Sequence, residues 1–495
     1  MIANTIRQWF KKLGRPSSVA AKGRSFRPRL EHLEDRECPA IFNPADATAL
    51  VAAITAANTN SQADVINLSA NTTYTLTTAI PDILPDAVGA NPASSITVNG
   101  NGATITRSGV APAFRIFNIQ GGRLFLNAVT ISGGSTAGFG GGIRVADAAV
   151  NNNGTLDNLV LRNSLVTGNT TTGGDGGGVA VVANGKASVI NSTISTNIAA
   201  NNGGGMSVLN LAQTVNVVNS TIARNVVTLP AGAGGGLKVE GAIVNLNNAI
   251  IADNHLVSLA GAANDIRLTG GTLNSRNSLF QETPPGGTFN GLNLNNITGV
   301  NPQLGPLQNN GGQTFTHSLG GTSPAVNTGS NAVITAPDNV NDQRGPGFNR
   351  TISGTVDIGA YEFQPAAVAV GLTSNLNPSL FRQTVTFSAT VAGTAANSNI
   401  PQGTVMFVVD GAPLAVVALV NGSASVATST LAVGVRSVQV FYTPATAIGD
   451  YSFSAGASGV LAQTVQAIPP VVPVAPVAPV VPVTLASPIG RRWRR

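Results

Sequence analysis

One cysteine, Cys38, stands in 495 residues, so no disulfide can form within the chain. Aromatic residues reach only 5%, with two tryptophans and four tyrosines, which is poor provision for a row of sugar-stacking platforms. Charged residues make up 10%, far below the fraction of about a quarter found in ordinary globular domains. The three histidines, His32, His255 and His317, are far apart and in unlike contexts, so neither a zinc site nor a catalytic triad is indicated. No apolar run reaches the roughly 18 residues of a transmembrane helix, and none is predicted. The middle of the chain also lacks a 3.6-residue apolar stripe, which excludes helical repeats.

The basic excess of +6 is confined to the ends. Residues 1–40 hold nine Lys/Arg against four Asp/Glu, and Arg491, Arg492, Arg494 and Arg495 close the chain. Residues 41–490 carry 14 basic and 17 acidic side chains, so the body is near −3. A nucleic-acid partner would need a basic face on the fold itself, and none is expected. The leader has no apolar core of the secretory-signal kind. The tail sets Trp493 among four arginines, which suits contact with an anionic surface.

What is abundant is glycine, 57 residues, together with Asn, Thr, Val and Ala. They fall into a repeat. NSLVTGN from Asn163, NSTISTN from Asn191, NSTIARN from Asn219 and NAIIADN from Asn248 follow a degenerate copy, NAVTISG, from Asn127. The starts are 36, 28, 28 and 29 residues apart, and glycine triplets at Gly140, Gly176, Gly203 and Gly234 sit between the copies. A period of this size implies a solenoid. Short runs of Val, Ile and Thr broken by Gly and Asn make each unit one coil of a parallel β-helix. Coils stack at about 4.8 Å, so Asn163, Asn191, Asn219 and Asn248 are expected to form one amide ladder. Asn169, Asn197, Asn225 and Asn254 are expected to form a second. From Asp64 to Gly299 the length suits some eight or nine coils, a rod of about 40 Å, right-handed by the crossover rule.

Taken in order, 1–40 is a basic leader and 41–300 the β-helix. The β-helix opens with a predicted capping helix in 43–60, with Asp46 as N-cap and Leu50, Val51, Ile54 and Ala57 on its buried face. In 369–467, alternating strands separated by Gly, Asn and Pro turns predict a β-sandwich. Residues 468–495 are a spacer and basic tail, with Pro470, Pro473, Pro476, Pro479 and Pro482 at the three-residue period of polyproline II. The fold class is therefore all-β, a right-handed parallel β-helix followed by a C-terminal sandwich.

Three stretches resemble known families. RLEHLEDRECPA, from Arg29, is similar to the LE-x-LE-x-R segment near the start of large bacterial surface and secreted proteins, which implies export. NPQLGPLQNNGGQTFTHSLGG from Asn301, NDQRGPGFNR from Asn341 and VDIGAYEF from Val356 together resemble the choice-of-anchor Q domain of bacterial surface proteins. That resemblance covers 301–365, implies display outside the cell, and supplies no activity. In that segment the proline and glycine turns are expected to close the last coils. The pattern of 369–467 resembles bacterial Ig-like repeat domains, without the cysteines of antibody domains.

Parallel β-helices include enzymes that cleave polysaccharides, so the acids decide between two classes of function. Hydrolysis needs paired carboxylates on one face, and lyases of this architecture need a base beside calcium-binding acids. Asp147, Asp157, Asp175, Glu240, Asp253 and Asp265 are sparse and do not recur at the coil period, although Asp253 and Asp265 fall where neighbouring coils bring residues together. The densest polar cluster is Asp338, Asp342, Arg344, Arg350, Asp357 and Glu362. Its two readings are an Arg344–carboxylate lock on the closing loops, or a calcium site built from Asp338, Asp342, Asp357 and Glu362. The glycine triplets are not phosphate loops, since no Lys-Ser/Thr follows, and calcium is the one cofactor this sequence raises. The expectation is an extracellular or cell-surface protein, structural or adhesive, whose partners are envelope or extracellular polysaccharide or neighbouring surface proteins. A polysaccharide lyase or glycoside hydrolase is the alternative.

Overall fold

The computed structural model describes residues 39–60, 62–85, 95–147, 156–209, 212, 214–229, 233–257, 264–282, 289–334, 339–352, 354–394, 400–445 and 453–471. The basic leader, Asp338 and the proline-rich tail lie outside these described residues. The chain divides into Met1–Pro39 and Ala40–Arg495, and the architecture below is that of the second unit. No described helix is long and apolar enough to cross a membrane.

Each complete coil consists of four short strands. One runs Leu159–Arg162, Leu165–Thr167, Thr170–Thr171 and Val179–Val182, and the next runs Ala187–Ile190, Thr193–Ser195, Ile198–Ala199 and Met206–Val208. Equivalent strands pair in parallel, so Leu161 lies beside Val189, Val166 beside Ile194 and Val179 beside Met206. The ladders grow into a first sheet of ten strands, a second of nine, a third of six and a fourth of five. The parallel β-solenoid therefore has about six turns with three faces fully paired, and its two longest faces run on at both ends. The expected eight or nine coils match those two faces alone.

Alternation along each strand sends one set of side chains inward. On the first sheet Leu126, Leu161, Val189, Val217 and Leu246 stack in register and are buried. Burying each contributes about 2 kcal/mol. The corners then decide which residues carry the repeat. Asn163, Asn191, Asn219 and Asn248 have φ of 50°, 47°, 48° and 50°, the left-handed conformation that asparagine tolerates best after glycine. Their counterpart in the preceding coil is Ala128, at φ 50°, because Asn127 pairs with Arg162. The degenerate first copy is thus one residue out of the register assigned to it from the sequence.

The second asparagine column is continuous and buried. Asn169 Nδ2 donates to Asn197 Oδ1, Asn197 to Asn225, and Asn225 to Asn254, each at 3.0 Å. Each Oδ1 also accepts the backbone N–H of the asparagine one coil earlier, at 3.0–3.1 Å. Each Nδ2 reaches further carbonyls, as Asn197 does to Val166 and Ser195. The glycine triplets exist to make room for this column. A Cβ on the third glycine would meet the ladder amide, at 2.9 Å from Nδ2 for Gly178 and Asn197 and at 2.7 Å for Gly205 and Asn225. The first glycine of each triplet is left-handed, at φ 71°, 70°, 59° and 63° for Gly140, Gly176, Gly203 and Gly234. A serine column runs alongside, with Ser164 N–H donating to Ser192 Oγ and Ser192 N–H to Ser220 Oγ, both at 3.1 Å.

At the start of the stack, Ile41–Phe42 pairs in parallel with Asp64–Asn67, so the first sheet begins ahead of Asp64. The helix Ala47–Ala57 follows, with the Asp46 side chain accepting from Ala49 N–H at 2.8 Å. Its buried face is Leu50, Ala53, Ile54 and Ala57, and Val51 is only partly covered. Together with Tyr74, whose hydroxyl donates to Pro44 O at 2.8 Å, it seals the apolar interior of the first coil.

Residues 301–363 do something other than close the last coils. They run back along the outside of the second sheet. Gly359 N–H donates to Asn248 O, Ala360 N–H to Thr221 Oγ1, and Thr193 Oγ1 to Gln343 Oε1, while Thr314 Oγ1 donates to Asn163 O. The outward residues of that sheet, Thr193, Ser195, Thr221, Ala223, Ile250 and Ala252, are small or apolar and fully buried beneath it. An uncharged face of this kind needs a cover, which is the physical reason for the path.

Residues 368–466 form two further sheets. Val368–Ser374, Val385–Gly393 and Ser423–Thr428 make one. Ser379–Leu380, Leu461–Gln466, Gly434–Pro444, Gly403–Val409 and Ala412–Ala418 make the other. Phe387, Phe407, Val438, Val440 and Tyr442 fill the core between them. This is the sandwich anticipated from the turn spacing.

Replacing a ladder amide leaves buried partners without hydrogen bonds. Asn197→Ala leaves the backbone N–H of Asn169 without its acceptor and removes the donor shared by the carbonyls of Val166 and Ser195, and should lower the unfolding free energy by about 2–4 kcal/mol in urea titration. A loss below about 0.5 kcal/mol would contradict a structural ladder.

Candidate functional site

The exposed outer face of the first sheet carries a third asparagine row. Asn216, Asn245 and Asn274 occupy outward positions on Thr214–Val218, Ile243–Asn247 and Thr272–Arg276, in direct register. Asn245 Nδ2 donates to Asn216 Oδ1 and Asn274 Nδ2 to Asn245 Oδ1, both at 2.9 Å, and Leu292 N–H donates to Asn274 Oδ1 at 2.8 Å. Around them lies an open groove of about 350 Å³ lined by Asn216, Asn245, Leu246, Asn247, Asn274, Arg276 and Leu292. The coil-to-coil spacing of these asparagines, 216 to 245 to 274, equals the last repeat interval, so the signal was present in the sequence. The more frequent corner motif overshadowed it.

The first predicted ladder serves a different purpose. Asn248 Nδ2 donates to Asn219 Oδ1 at 2.9 Å, but Asn191 Nδ2 donates to Asn341 O at 2.9 Å and its Oδ1 accepts from Arg350 at 3.1 Å. Asn248 also binds the backbone of Ser330, giving to its O and accepting from its N–H. These corner amides therefore fasten the covering segment to the coils. Asn163 contributes its backbone O to the same contact, through Thr314.

Within that segment the charged cluster is buried. Arg344 pairs with Asp342 at 2.6 Å and is held between the rings of Phe348 and Tyr361, 4.0 and 3.9 Å from their centroids. Asp342 also accepts the N–H groups of Arg344 and Glu362. Asp357 accepts from Asn327 N–H at 2.7 Å and Phe363 N–H at 2.5 Å, and its own N–H donates to Glu362 Oε2 at 2.8 Å. The Arg344–carboxylate lock is thus present. The oxygens a calcium ion would use on Asp342 and Asp357 already accept protein donors, and Asp338 lies outside the described residues. Among the described residues no three His, Cys, Asp or Glu side chains gather as a metal-holding group.

Burial sets the protonation here. Desolvation, then the charge of Asp357, push Glu362 up to about 9, and desolvation pushes Asp357 up to about 6. Arg350 is fully buried, donates to the carbonyls of Gly359 and Ala360, and has its pKa lowered by desolvation against the pull of Asp342, Glu362 and Asp357. His317 is pushed down to about 4 by burial, so it is neutral at ordinary pH. Its Nδ1 lies 2.8 Å from Gly305 O, which can only accept, so Nδ1 carries the proton. Nε2 then accepts from Ser195 Oγ at 2.8 Å. The pair has the spacing of a nucleophile and base, but both are buried and a backbone carbonyl stands where a triad has a carboxylate. Their separation of 122 residues kept this pair out of reach of sequence reasoning.

The acids of the coils are engaged by other protein groups, two of them on one shared lysine. Asp253 pairs with Arg224 at 3.5 Å, whereas Asp265 ends the buried ladder by accepting from Asn254 Nδ2 at 2.9 Å, and the backbone N–H of Asp265 and of Glu282 each donate to the other's carboxylate. Burial pushes Asp265 up to about 7. Asp175 and Glu240 share Lys238, at 2.9 and 2.6 Å. Burial works to lower the Lys238 pKa, but its bonds to Glu240 and Asp175 outweigh that and raise it, so it is an ammonium and no base. Asp157 hydrogen-bonds Ser188 and lies near Arg123 and Lys186, and Asp147 hydrogen-bonds Asn158; burial raises both carboxyls. The arrangement offers no open pair of carboxylates among the described residues.

Compared with models of protein families, residues 372–466 match the bacterial Ig-like domain (group 3). The chain carries that domain at its C-terminal side, on a parallel β-solenoid. No curated protein matches the sequence. A crystal structure of pectate lyase Pel9A is similar at 14% identity, over 66% of this chain and 97% of that one, with a TM-score of 0.38. A likeness that distant says nothing of activity.

The buried Glu362 makes a pH prediction. Its folded pKa, about 9, exceeds the ordinary 4.5, so its stabilising contribution is complete below about pH 4.5 and is lost as pH rises toward 9. Glu362→Gln keeps an acceptor for Asp357 N–H and removes the titration. Urea midpoints measured from about pH 5 to about pH 9 should fall further for the parent chain than for the variant. Parallel curves would contradict a buried, titrating Glu362.

Proposed function

We propose that this is an exported cell-surface protein whose solenoid is a structural or adhesive rod that holds polysaccharide weakly. The observation that carries the reading is the half-buried outward asparagine row, Asn216, Asn245 and Asn274, in an open groove of about 350 Å³. Asn245 spends one donor on Asn216 and one acceptor on Asn274 and keeps a second of each for a ligand, while Asn274 gives one donor to Asn245 and one acceptor to Leu292 N–H. Sugar hydroxyls are the ligand chemistry that matches such a row. The groove lacks an aromatic platform, so binding per site is expected to be weak, in the range of about 0.1–1 mM. The resemblance of 301–365 to choice-of-anchor Q domains and of the leader to the LE-x-LE-x-R segment supports display outside the cell, as does the Ig-like domain.

The alternative, cleavage of polysaccharide, requires two open carboxylates or a base beside a calcium site. The engagement of Asp175, Glu240, Asp253 and Asp265 with Lys238, Arg224 and Asn254 speaks against it.

The full chain should be retained on immobilised polysaccharide without releasing reducing or unsaturated ends, and Asn245→Ala should weaken retention about three- to tenfold. Protease applied to intact cells should remove the protein before lysis. Product release would transfer the protein to the lyase and hydrolase class, and protection until lysis would overturn surface display.

A further inference from the structure

The groove on the first sheet is lined by a single charged residue, Arg276. It closes the strand Thr272–Arg276 on its outward side and is exposed. Among the described residues no carboxylate pairs with its guanidinium. On the neighbouring strand Asn247 lies directly beside it in register, with its own amide free of side-chain partners among the described residues. The rest of the lining is Asn216, Asn245 and Asn274 with Leu246 and Leu292, so the groove contains no acid.

We infer that this groove is a subsite for a carboxylate-bearing sugar of an acidic polysaccharide, with Arg276 binding the carboxylate. The inference rests on the reading of this face as a polysaccharide-binding surface and names the ligand class. The chemistry matches group by group. A uronic acid residue presents a planar carboxylate, ring hydroxyls and an apolar C–H face. The guanidinium supplies paired N–H donors in the fork geometry that fits a carboxylate. Asn247 and the ladder amides of Asn245 and Asn274 supply hydroxyl partners on the same face, at the spacing of the coils. Leu292 supplies an apolar wall beside them. The folded body is near −3, so an acidic chain gains no general attraction and recognition depends on this local positive charge.

The test compares three immobilised probes on the full chain: polygalacturonate, its methyl ester, and dextran. The expected result is tighter binding of polygalacturonate than of its ester, a preference that weakens with added salt. Arg276→Gln should lower polygalacturonate affinity roughly five- to tenfold and leave the ester unchanged, with Arg276→Lys in between. Because Arg276 is exposed and its backbone contacts stay, both variants should keep the parent's melting temperature. Equal binding of acid and ester would overturn the subsite while leaving the polysaccharide-binding surface standing. A preference for the acid that survives Arg276→Gln would place the charge recognition elsewhere and also overturn it. Failure of all three probes to bind would remove the subsite and the surface reading together.

Discussion

The contact between a buried asparagine and the third glycine of a triplet recurs from coil to coil, and the solenoid depends on it. The asparagine side chain replaces a missing piece of backbone. Its Oδ1 receives the N–H of the asparagine one coil earlier, and its Nδ2 returns a hydrogen bond to carbonyls on two coils. A corner that would otherwise leave polar groups unpaired in the interior is thereby satisfied. This works only where the facing residue has no side chain, since a Cβ on Gly142, Gly178, Gly205 or Gly236 would stand 2.6–2.9 Å from the ladder nitrogen. Asparagine and glycine are two halves of one device, which is why the motifs alternate along the chain. The column ends on Asp265, whose carboxylate accepts as an amide would and whose burial raises its pKa to about 7.

Once the corners are fixed, the strand period of two assigns each face its role. Inward residues on the first and second sheets are aliphatic and stack in register. Outward residues on the later strands of the second sheet, such as Thr193, Ser195, Thr221, Ala223, Ile250 and Ala252, are small or apolar, and 301–363 covers them with Arg350, His317, Gln343 and the Ile358–Ala360 backbone. Outward residues on the first sheet are mixed, with Val65, Phe125, Val160, Ile190, Val218 and Ile243 among polar ones, and asparagine rows stand at Asn67, Asn99 and Asn127 near one end and Asn216, Asn245 and Asn274 near the other. Asp342, Arg344, Arg350, Asp357 and Glu362 are buried on the covered face, where they join the cover to itself and to the coils, while Asp175, Lys238 and Asp265 are buried elsewhere in the stack. The open face is where a ligand has access.

Much of this was legible in the sequence, because a solenoid writes its period into the chain. The repeat interval, the Val/Ile/Thr runs and the turn residues specified parallel coils, the capping helix with Asp46, and a separate sandwich. The buried ladder was legible too, since Asn169, Asn197, Asn225 and Asn254 recur at one interval. Three things were not. The true partner of Asn163 is Ala128, hidden because a neighbouring asparagine offered a better letter match one residue away. The path of 301–363 depends on which face of the second sheet lacks polar residues, and that needs the register of several coils at once. Groupings such as Ser195 with His317, or Arg350 with Asn191, join residues more than a hundred apart through a docked segment with no periodicity. The groove asparagines had the period but were masked by the more frequent corner asparagines.

Hydrogen–deuterium exchange on the full chain tests the role of the asparagine column most directly, because it reads each corner separately. The backbone N–H groups of Asn169, Asn197 and Asn225 are bound to ladder side chains inside the stack. They should exchange as slowly as the strand amides of Leu161, Val189 and Val217, although they lie in turns. Fast exchange at these three positions, with the flanking strands still protected, would mean that the corners are held by the sheets alone and that the asparagine column stabilises nothing.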